Sequence, residues 1–292
     1  MDETPAGASD APAPDRFTVT ANGRRFEGYA YAEGEPLLCL HGFPDDPRTF
    51  DALAGELDGY RLFVPYMRGY GPSEGTPDDE YGPAALGADA AALAEAFDAD
   101  YVLGHDWGAV ATYAALPSGA FDRAAAMAVP PRFDALLFAY PTQILRSWYI
   151  WAFQLSGAER LLCARGFALV DLLYRSWSPG WDDPAHRERV KQTLASGDTA
   201  GNALAYYRAL GQGLFAALRE RGIRDPDEGR PFETPTLLLS GATDGCIGTD
   251  LFEQADAAFE RCRVARVSGT GHFLHRERPA VVAEELAAWF DG

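Results

Sequence analysis

The sequence is poor in positive charge. Lys191 is the only lysine among 292 residues, and 25 basic residues stand against 43 acidic ones, which gives a formal net charge of -18. A surface so rich in carboxylates repels nucleic acid, so we expect no nucleic-acid partner. It suits a cytoplasm of high salt, where screening weakens the repulsion between carboxylates, and therefore indicates a halophile. A GC-rich genome that encodes arginine in preference to lysine is the alternative interpretation.

Long apolar runs and clustered cysteines are also missing. The most apolar stretch, Phe133–Leu155, is interrupted by proline, glutamine and arginine, which argues against a membrane span. The acidic segment 1-15 lacks the basic and apolar regions of a secretory signal, so we expect a disordered tail and a cytoplasmic protein. The absence of a Cys-x-x-Cys pair disfavours zinc and thioredoxin-like chemistry and predicts four reduced, mostly buried thiols. These are Cys39, Cys163, Cys246 and Cys262.

What the sequence does contain is an alternation of strand and helix patterns. Residues 17-32 predict a hairpin that turns around Asn22 and Gly23. Ala-rich stretches such as Pro83–Phe97 and Phe252–Phe259 predict helices, and the alternation predicts an α/β fold. Short apolar runs between them resemble buried parallel strands. These runs are Leu37–Leu40, Leu62–Pro65, Tyr101–Leu103, Ala124–Val129, Thr236–Ser240 and Val264–Val267.

One long segment breaks this alternation. Residues 131-230 have helical patterns, many aromatics and the breaker Trp177–Pro179, but no convincing strand. We therefore expect a core of residues 16-130 and 231-292 with a helical cap inserted at 131-230. Such an insertion would lie over the C-terminal ends of the strands, where open α/β sheets bind ligands, so it is a candidate lid.

A nucleophile elbow is predicted at Gly104–Gly108. The segment follows the strand pattern Tyr101–Leu103 and precedes a helical pattern, and Asp106 stands where such elbows usually carry serine. Glycines are expected on both sides because larger side chains would clash at the strained turn.

Three further elements follow in the order that this architecture requires. The loop His41–Pro44 predicts an oxyanion hole formed by the backbone N–H groups of Phe43 and Trp107. Asp244 comes directly after a buried strand, and His272 lies in a glycine-rich loop after the last strand. Each residue alone is more often a turn or cap residue, but together they predict a triad of nucleophile, acid and base.

An aspartate nucleophile indicates a particular chemistry. A carboxylate is ionised at neutral pH and can displace a leaving group at a saturated carbon, which produces an ester of Asp106. His272, oriented by Asp244, would then deprotonate the water that attacks this ester. The N–H groups of Phe43 and Trp107 would stabilise the oxyanion that develops.

These motifs together resemble the epoxide hydrolase and haloalkane dehalogenase branch of the α/β-hydrolase family. The resemblance spans nearly the whole chain after the tail, and its motifs are His41–Pro44, Arg68–Gly71, Gly104–Gly108 and Gly271–His272. It implies an α/β-hydrolase fold with a mostly parallel sheet and a helical cap, no cofactor and no metal. The implied partners are water and a small apolar epoxide or haloalkane; assembly into a homo-oligomer is left open.

The resemblance also implies a pair of tyrosines in the cap. Ser147–Tyr149 and Tyr206–Arg208 are similar to the segments that supply the paired tyrosines of epoxide hydrolases, so Tyr149 and Tyr207 are the implied pair. Tyr206 is the nearby alternative. Two phenols could bind and protonate the oxygen of an opening epoxide. The competing interpretation is that these rings only pack the lid helices.

Two other functions stay in consideration. A haloalkane dehalogenase needs N–H donors for its halide; Trp107 could supply one, but Phe43 stands where many of those enzymes have a second donor, which favours epoxides. Fluoroacetate dehalogenases usually have arginine in place of Trp107. A catalytically idle ligand-binding protein is the remaining alternative, and the retained triad speaks against it.

Several polar residues are expected outside the chemistry. Tyr66 replaces an aspartate that is frequent in the family, so a local ion pair could be missing, and Arg68 is expected to brace loops. His105 should point away from Asp106 and have a structural role. His186 and His275 are expected to be solvated. Asp45, Asp46 and Asp134 could reach the mouth of the pocket, but acidic residues are so abundant that we expect these three to be solvated as well.

Overall fold

The computed structural model describes residues 14–76, 80–133, 136–137, 140–219 and 230–292. Most of the tail predicted at residues 1-15 therefore lies outside the described residues, although Asp15 begins the first strand. Asp134 also lies outside them. Among the helices that the structure describes, none is both long and apolar enough to span a membrane.

Eight strands form one mixed sheet in the order β1-β2-β4-β3-β5-β6-β7-β8. β1 and β2 form the predicted antiparallel hairpin, β2 is antiparallel to β4, and every later pair is parallel. The positive φ angles of Asn22 and Gly23 allow the hairpin turn. The strands are β1 Asp15–Ala21, β2 Arg24–Tyr31, β3 Glu35–Leu40, β4 Tyr60–Pro65, β5 Tyr101–His105, β6 Arg123–Met127, β7 Thr236–Gly241 and β8 Cys262–Val267.

All six predicted apolar runs fall on strands of this sheet, but one was assigned the wrong environment. β8 was expected to be fully buried, yet it lies at the edge and pairs with β7 alone. Its Val264 is 38% exposed. An edge strand has a neighbour on one side only, and a short apolar run does not reveal that position.

Ten α-helices flank the sheet or connect its strands in the described part of the chain. The predicted helix Pro83–Phe97 is confirmed. Phe252–Phe259 is not one helix: Phe252 ends the 3-10 turn Thr249–Phe252, and a second 3-10 turn, Ala255–Ala258, begins after Gln254, whose φ of -127° is not helical. The helices are α1 Asp51–Ala54, α2 Pro83–Phe97, α3 Trp107–Ala115, α4 Pro141–Arg146, α5 Trp148–Ala152, α6 Ala158–Trp177 (interrupted at Ala164–Phe167), α7 Pro184–Ala195, α8 Thr199–Arg219, α9 Leu274–Glu277 and α10 Pro279–Phe290.

Both faces of the sheet are covered, which explains why the central strands read as continuous apolar runs. Successive side chains of a strand point to opposite faces. Leu38 therefore belongs to the same core cluster as Leu86 of α2, while its neighbour Leu37 belongs to the other cluster, with Leu286 of α10.

The segment between β6 and β7 is helical where the structure describes it. Residues 140–219 form α4 to α8 and contain no strand. This agrees with a helical insertion. Its bounds at 131 and 230 and its role as a cap stay predictions, because residues 134–135, 138–139 and 220–229 lie outside the described part.

A buried ion pair joins the loop after β4 to α2. The Arg68 guanidinium, 2% exposed, donates to both carboxylate oxygens of Asp89 at 2.7 Å and to the carbonyls of Glu80 and Ala85. Asp89 also accepts a hydrogen bond from Asn22 at 2.7 Å. Arg68 thus braces a loop, as predicted, and it has an ionic partner although Tyr66 replaces the expected aspartate.

We predict that Asp89→Ala lowers the free energy of unfolding by about 3 kcal/mol, because it leaves the Arg68 charge buried without its partner. Urea denaturation of wild type and variant measures this difference. The matched control is Glu33→Ala, which removes an 84% exposed carboxylate paired with Arg61 and should change stability by less than about 0.5 kcal/mol. Equal effects of the two substitutions would contradict the prediction.

Candidate active site

Asp106 occupies a strained turn between β5 and α3. Its φ of 54° and ψ of -115° aim the side chain away from both elements. The flanking glycines are required, as predicted: a Cβ on Gly104 would overlap the carbonyl of Gly108, and a Cβ on Gly108 would overlap the carbonyl of Leu40. The elbow is therefore packed directly against β3.

The structure brings the three predicted triad residues together. His272 Nδ1 lies 2.9 Å from Asp244 Oδ2, and His272 Nε2 lies 3.5 Å from Asp106 Oδ2. The second oxygen of Asp244 accepts the N–H groups of Cys246 at 2.7 Å and Ile247 at 3.0 Å. These bonds fix the carboxylate, which in turn orients the imidazole.

The loop after β3 packs on the other side of the Asp106 carboxylate. The Phe43 N–H donates to Asp106 Oδ1 at 2.8 Å. A Cβ on Gly42 would overlap the Asp106 side chain, so this approach requires glycine. Trp107, the second predicted oxyanion donor, is the first residue of α3 but makes no hydrogen bond to the carboxylate through its N–H among the described contacts. Its role stays a prediction.

The charges in the triad determine the protonation state of His272. Burial alone lowers its pKa, but the carboxylates of Asp244 and Asp106 outweigh burial and raise the pKa to about 10. In this state, His272 is an imidazolium between two carboxylates at neutral pH. Its basicity thus depends on whether Asp106 carries a charge.

A cavity of about 360 Å³ lies above Asp106. Asp106 and Trp107 contribute to it from the elbow, Tyr149 from α5 and Tyr207 from α8. The rings of Tyr149 and Tyr207 contact each other edge to face, with their centroids 5.7 Å apart. Most other lining residues are apolar, and they include Val110, Val129, Ile150, Leu210, Phe232 and Ile247. The cavity can hold a mainly apolar molecule against the nucleophile.

The hydroxyl groups of three neighbouring tyrosines have different environments. The Tyr206 hydroxyl donates to the carbonyl of Arg68 at 2.7 Å, and Tyr206 does not line the cavity. Burial raises the pKa of Tyr207 well above its usual value, whereas a hydrogen bond from the Trp107 side chain acts in the opposite direction. The Tyr149 hydroxyl lies 3.3 Å from Cys246 Sγ. Of the two candidates on α8, Tyr207 therefore faces the cavity with Tyr149.

Four of the five residues expected to be solvated are buried instead. Asp45 Oδ1 lies 2.9 Å from His186 Nε2, and Asp46 accepts a hydrogen bond from Thr193. His275 lies 2.6 Å from the hydroxyl of Thr49. The prediction was wrong because α7 covers the loop after β3. The abundance of acidic residues in the sequence concealed these pairs, which only long-range packing brings together.

Burial acts in opposite directions on the pKa values of the acidic and basic side chains in this polar cluster. Burial by itself raises the pKa of Asp45, but His186 outweighs it and lowers the pKa below its usual range. Burial lowers the pKa of His105 to about 4, and His105 Nε2 donates to the carbonyl of His272 at 3.0 Å. This bond agrees with the structural role predicted for His105.

Three groups of side chains are close enough to hold a metal ion in the described part of the chain. The groups are Asp45–His105–His275, Asp45–Asp46–His186 and Asp244–Cys246–His272. In the second group Asp45 already contacts the imidazole of His186, and in the third Asp244 already contacts that of His272. Metal binding by the third group would disrupt the triad.

Comparison with known proteins agrees with this architecture. The family model of the alpha/beta hydrolase fold matches residues 35–279, and the chain belongs to this family. Epoxide hydrolase A of Mycobacterium tuberculosis is 28% identical over an alignment that covers 96% of the chain and 98% of that protein. An epoxide hydrolase of Caballeronia sordidicola is 24% identical, with 92% of each protein covered.

A solved structure supports the same fold. Epoxide hydrolase A from Mycobacterium thermoresistibile superimposes with a TM-score of 0.78 at 24% identity, covering 96% of this chain and 99% of that one. The predicted α/β-hydrolase fold is thus confirmed. The family match and the relatives named epoxide hydrolases bear out the prediction of a hydrolytic enzyme.

We predict that Asp106→Asn lowers the pKa of His272, because it removes one of the two carboxylate charges that stabilise the imidazolium. Titration of the imidazole by NMR measures the shift. Asp58→Asn, the same change at an exposed position, should leave the titration of His272 unaltered. An unchanged pKa in the Asp106→Asn variant would contradict the electrostatic link.

Proposed function

We propose that the chain hydrolyses epoxides to vicinal diols through a covalent ester of Asp106. The observation that carries this proposal is the cavity itself, because Asp106, Tyr149 and Tyr207 line one mainly apolar space. An epoxide needs a nucleophile at carbon and a proton donor at oxygen, and this arrangement can supply both. The names of the relatives support the same substrate class.

In the proposed first step, a carboxylate oxygen of Asp106 attacks a ring carbon. The electrons of the broken C–O bond pass to the epoxide oxygen, which takes a proton from a tyrosine. In an apolar cavity two directed O–H donors stabilise the developing alkoxide more strongly than they would in water. The product is a hydroxyalkyl ester of Asp106.

In the second step, His272 changes from an acid to a base. Esterification removes the negative charge of Asp106 that helped to raise the pKa of His272, so the pKa falls and the imidazolium releases its proton to the tyrosinate. Neutral His272 then accepts a proton from water as the water oxygen attacks the ester carbonyl. The Phe43 N–H, already directed at Asp106 Oδ1, would stabilise the oxyanion. Collapse of the intermediate breaks the bond to the product oxygen, which takes a proton from the His272 imidazolium and leaves as the diol. The Asp106 carboxylic acid then returns a proton to His272, which restores both groups.

We also propose that the inserted helices act as a cap. Tyr149 lies on α5 and Tyr207 on α8, whereas the triad residues lie on the elbow and on loops after β7 and β8. The reactive groups come from both sides of the cavity. Closing of the insertion over the substrate would exclude bulk water from the alkylation step.

We predict that His272→Gln accumulates an adduct on Asp106 while diol formation stops, because the ester forms but no base activates water. Mass spectrometry of the intact protein and its peptides should detect an added mass of one epoxide on the peptide that contains Asp106. Asp106→Asn is the control and should form no adduct. Full activity of His272→Gln, or an adduct on another residue, would contradict the assignment.

A second prediction concerns the tyrosines. Replacing both Tyr149 and Tyr207 with phenylalanine should slow epoxide opening by about 10²-fold or more, because both proton donors are lost. Tyr206→Phe is the matched control; it should retain epoxide opening, since the Tyr206 hydroxyl binds the carbonyl of Arg68 rather than facing the cavity. Unchanged opening by the double variant would reject the proposed role.

Haloalkane dehalogenation is the second candidate, favoured by one observation. Trp107 lines the cavity beside Asp106, and indole N–H groups can bind a departing halide. The side chain of Phe43 offers no second donor. Parallel turnover of styrene oxide and 1-bromobutane at low and high salt distinguishes the two candidates. Diol without bromide release supports the epoxide hydrolase, whereas bromide release without diol supports the dehalogenase.

A further inference from the structure

Cys246 is a buried thiol beside one of the proposed proton donors. Its side chain is fully buried, and its Sγ lies 3.3 Å from the Tyr149 hydroxyl oxygen. It follows the triad acid by two residues, and its N–H donates to Asp244 Oδ1. The thiol therefore belongs to the same loop that orients His272, but the triad itself does not use it.

A network of hydrogen bonds holds this loop against the helix pair that carries Tyr149. The buried amide of Gln143 on α4 donates to the carbonyl of Cys246 at 2.9 Å and accepts the N–H of Gly248 at 2.9 Å. The same amide group also donates to Ser147, where α4 ends and α5 begins. The separation between Cys246 Sγ and Tyr149 Oη is thus set by bonds on both sides.

The protonation state of the thiol follows from its surroundings. Burial raises the pKa of Cys246 well above its usual value, with the carboxylates of Asp244 and Asp106 acting in the same direction. The thiol therefore keeps its proton at neutral pH. A neutral thiol is a weak hydrogen-bond donor and a weak acceptor.

We propose that Cys246 is a positioning residue for epoxide opening. Its S–H donates to the Tyr149 hydroxyl oxygen, so that the phenolic proton stays free to point at the epoxide oxygen. This proposal rests on the proposed epoxide hydrolase function.

The proposed bond leaves the Tyr149 proton available for transfer. As Asp106 forms its bond to carbon, the C–O electrons move to the epoxide oxygen and the Tyr149 proton follows. Tyr207, which lines the same cavity, donates a second hydrogen bond to that oxygen. His272 later returns a proton to Tyr149, which balances the cycle.

The test isolates epoxide opening by measuring adduct formation in the His272→Gln background, with styrene oxide and mass spectrometry of single-turnover samples. In this background, Cys246→Ala should slow adduct formation roughly three- to tenfold, the effect of losing one modest hydrogen bond. Cys246→Ser keeps a donor and should restore the rate.

A double-mutant cycle distinguishes this positioning role from general loosening of the site. If Cys246 acts through the phenol, Cys246→Ala should cause no further loss once Tyr149 is replaced by phenylalanine. Cys39→Ala is the matched control, since Cys39 is equally buried on β3 and packs on the other face of the sheet. It should leave the adduct rate unchanged.

Two results would overturn the proposal: an unchanged rate in Cys246→Ala, or the same rate loss with and without the Tyr149 hydroxyl. If the His272→Gln parent forms no adduct with the epoxide, the proposed function fails and this inference fails with it. That outcome can be distinguished from failure of the Cys246 proposal alone, because no variant in the His272→Gln background would then form an adduct.

Discussion

The backbone at Asp106 is the constraint on which the rest of the site depends. A residue with a side chain is held at φ 54° and ψ -115°, a conformation that persists only when the surrounding structure enforces it. Here the enforcement comes from close packing, because Gly104 and Gly108 bring β5, α3 and β3 together without intervening side chains. As a result, the Asp106 carboxylate projects from the sheet towards Phe43, His272 and the cavity.

Burying this carboxylate would be costly without compensation. The Phe43 N–H and the His272 imidazolium provide it, and Asp244 provides the second negative charge that keeps His272 protonated. The imidazolium has two carboxylate partners only while Asp106 is ionised. Ester formation removes one of these charges and lowers the pKa of His272, so His272 can be a proton donor before the ester forms and a base afterwards.

Much of this architecture follows from local sequence patterns. The strands are short apolar runs, and the elbow and the glycine-rich loop of His272 are contiguous motifs, so a reader of the sequence can propose both. The pairing of Tyr149 with Tyr207 was implied by a resemblance. The structure adds the reason to prefer Tyr207 over Tyr206, namely that only Tyr207 lines the cavity.

What the sequence concealed depends on contacts between distant segments. The burial of Asp45 results from His186, which is 141 positions away in the chain. The place of Cys246 beside Tyr149 results from packing of the helical insertion on the loop after β7. Neither residue lies in a recognisable pattern. The helix predicted at Phe252–Phe259 failed for a local reason, since an apolar period of this length does not distinguish one helix from two 3-10 turns.

The central claim is that an oxygen of Asp106 becomes part of the product. A single turnover with excess enzyme in water labelled with oxygen-18 tests this most directly, with the diol and the Asp106 peptide analysed by mass spectrometry. The ester mechanism predicts an unlabelled diol and label in the Asp106 carboxylate, because water attacks the ester carbonyl rather than the substrate carbon. Label in the diol of the first turnover would show direct attack by water and contradict the account.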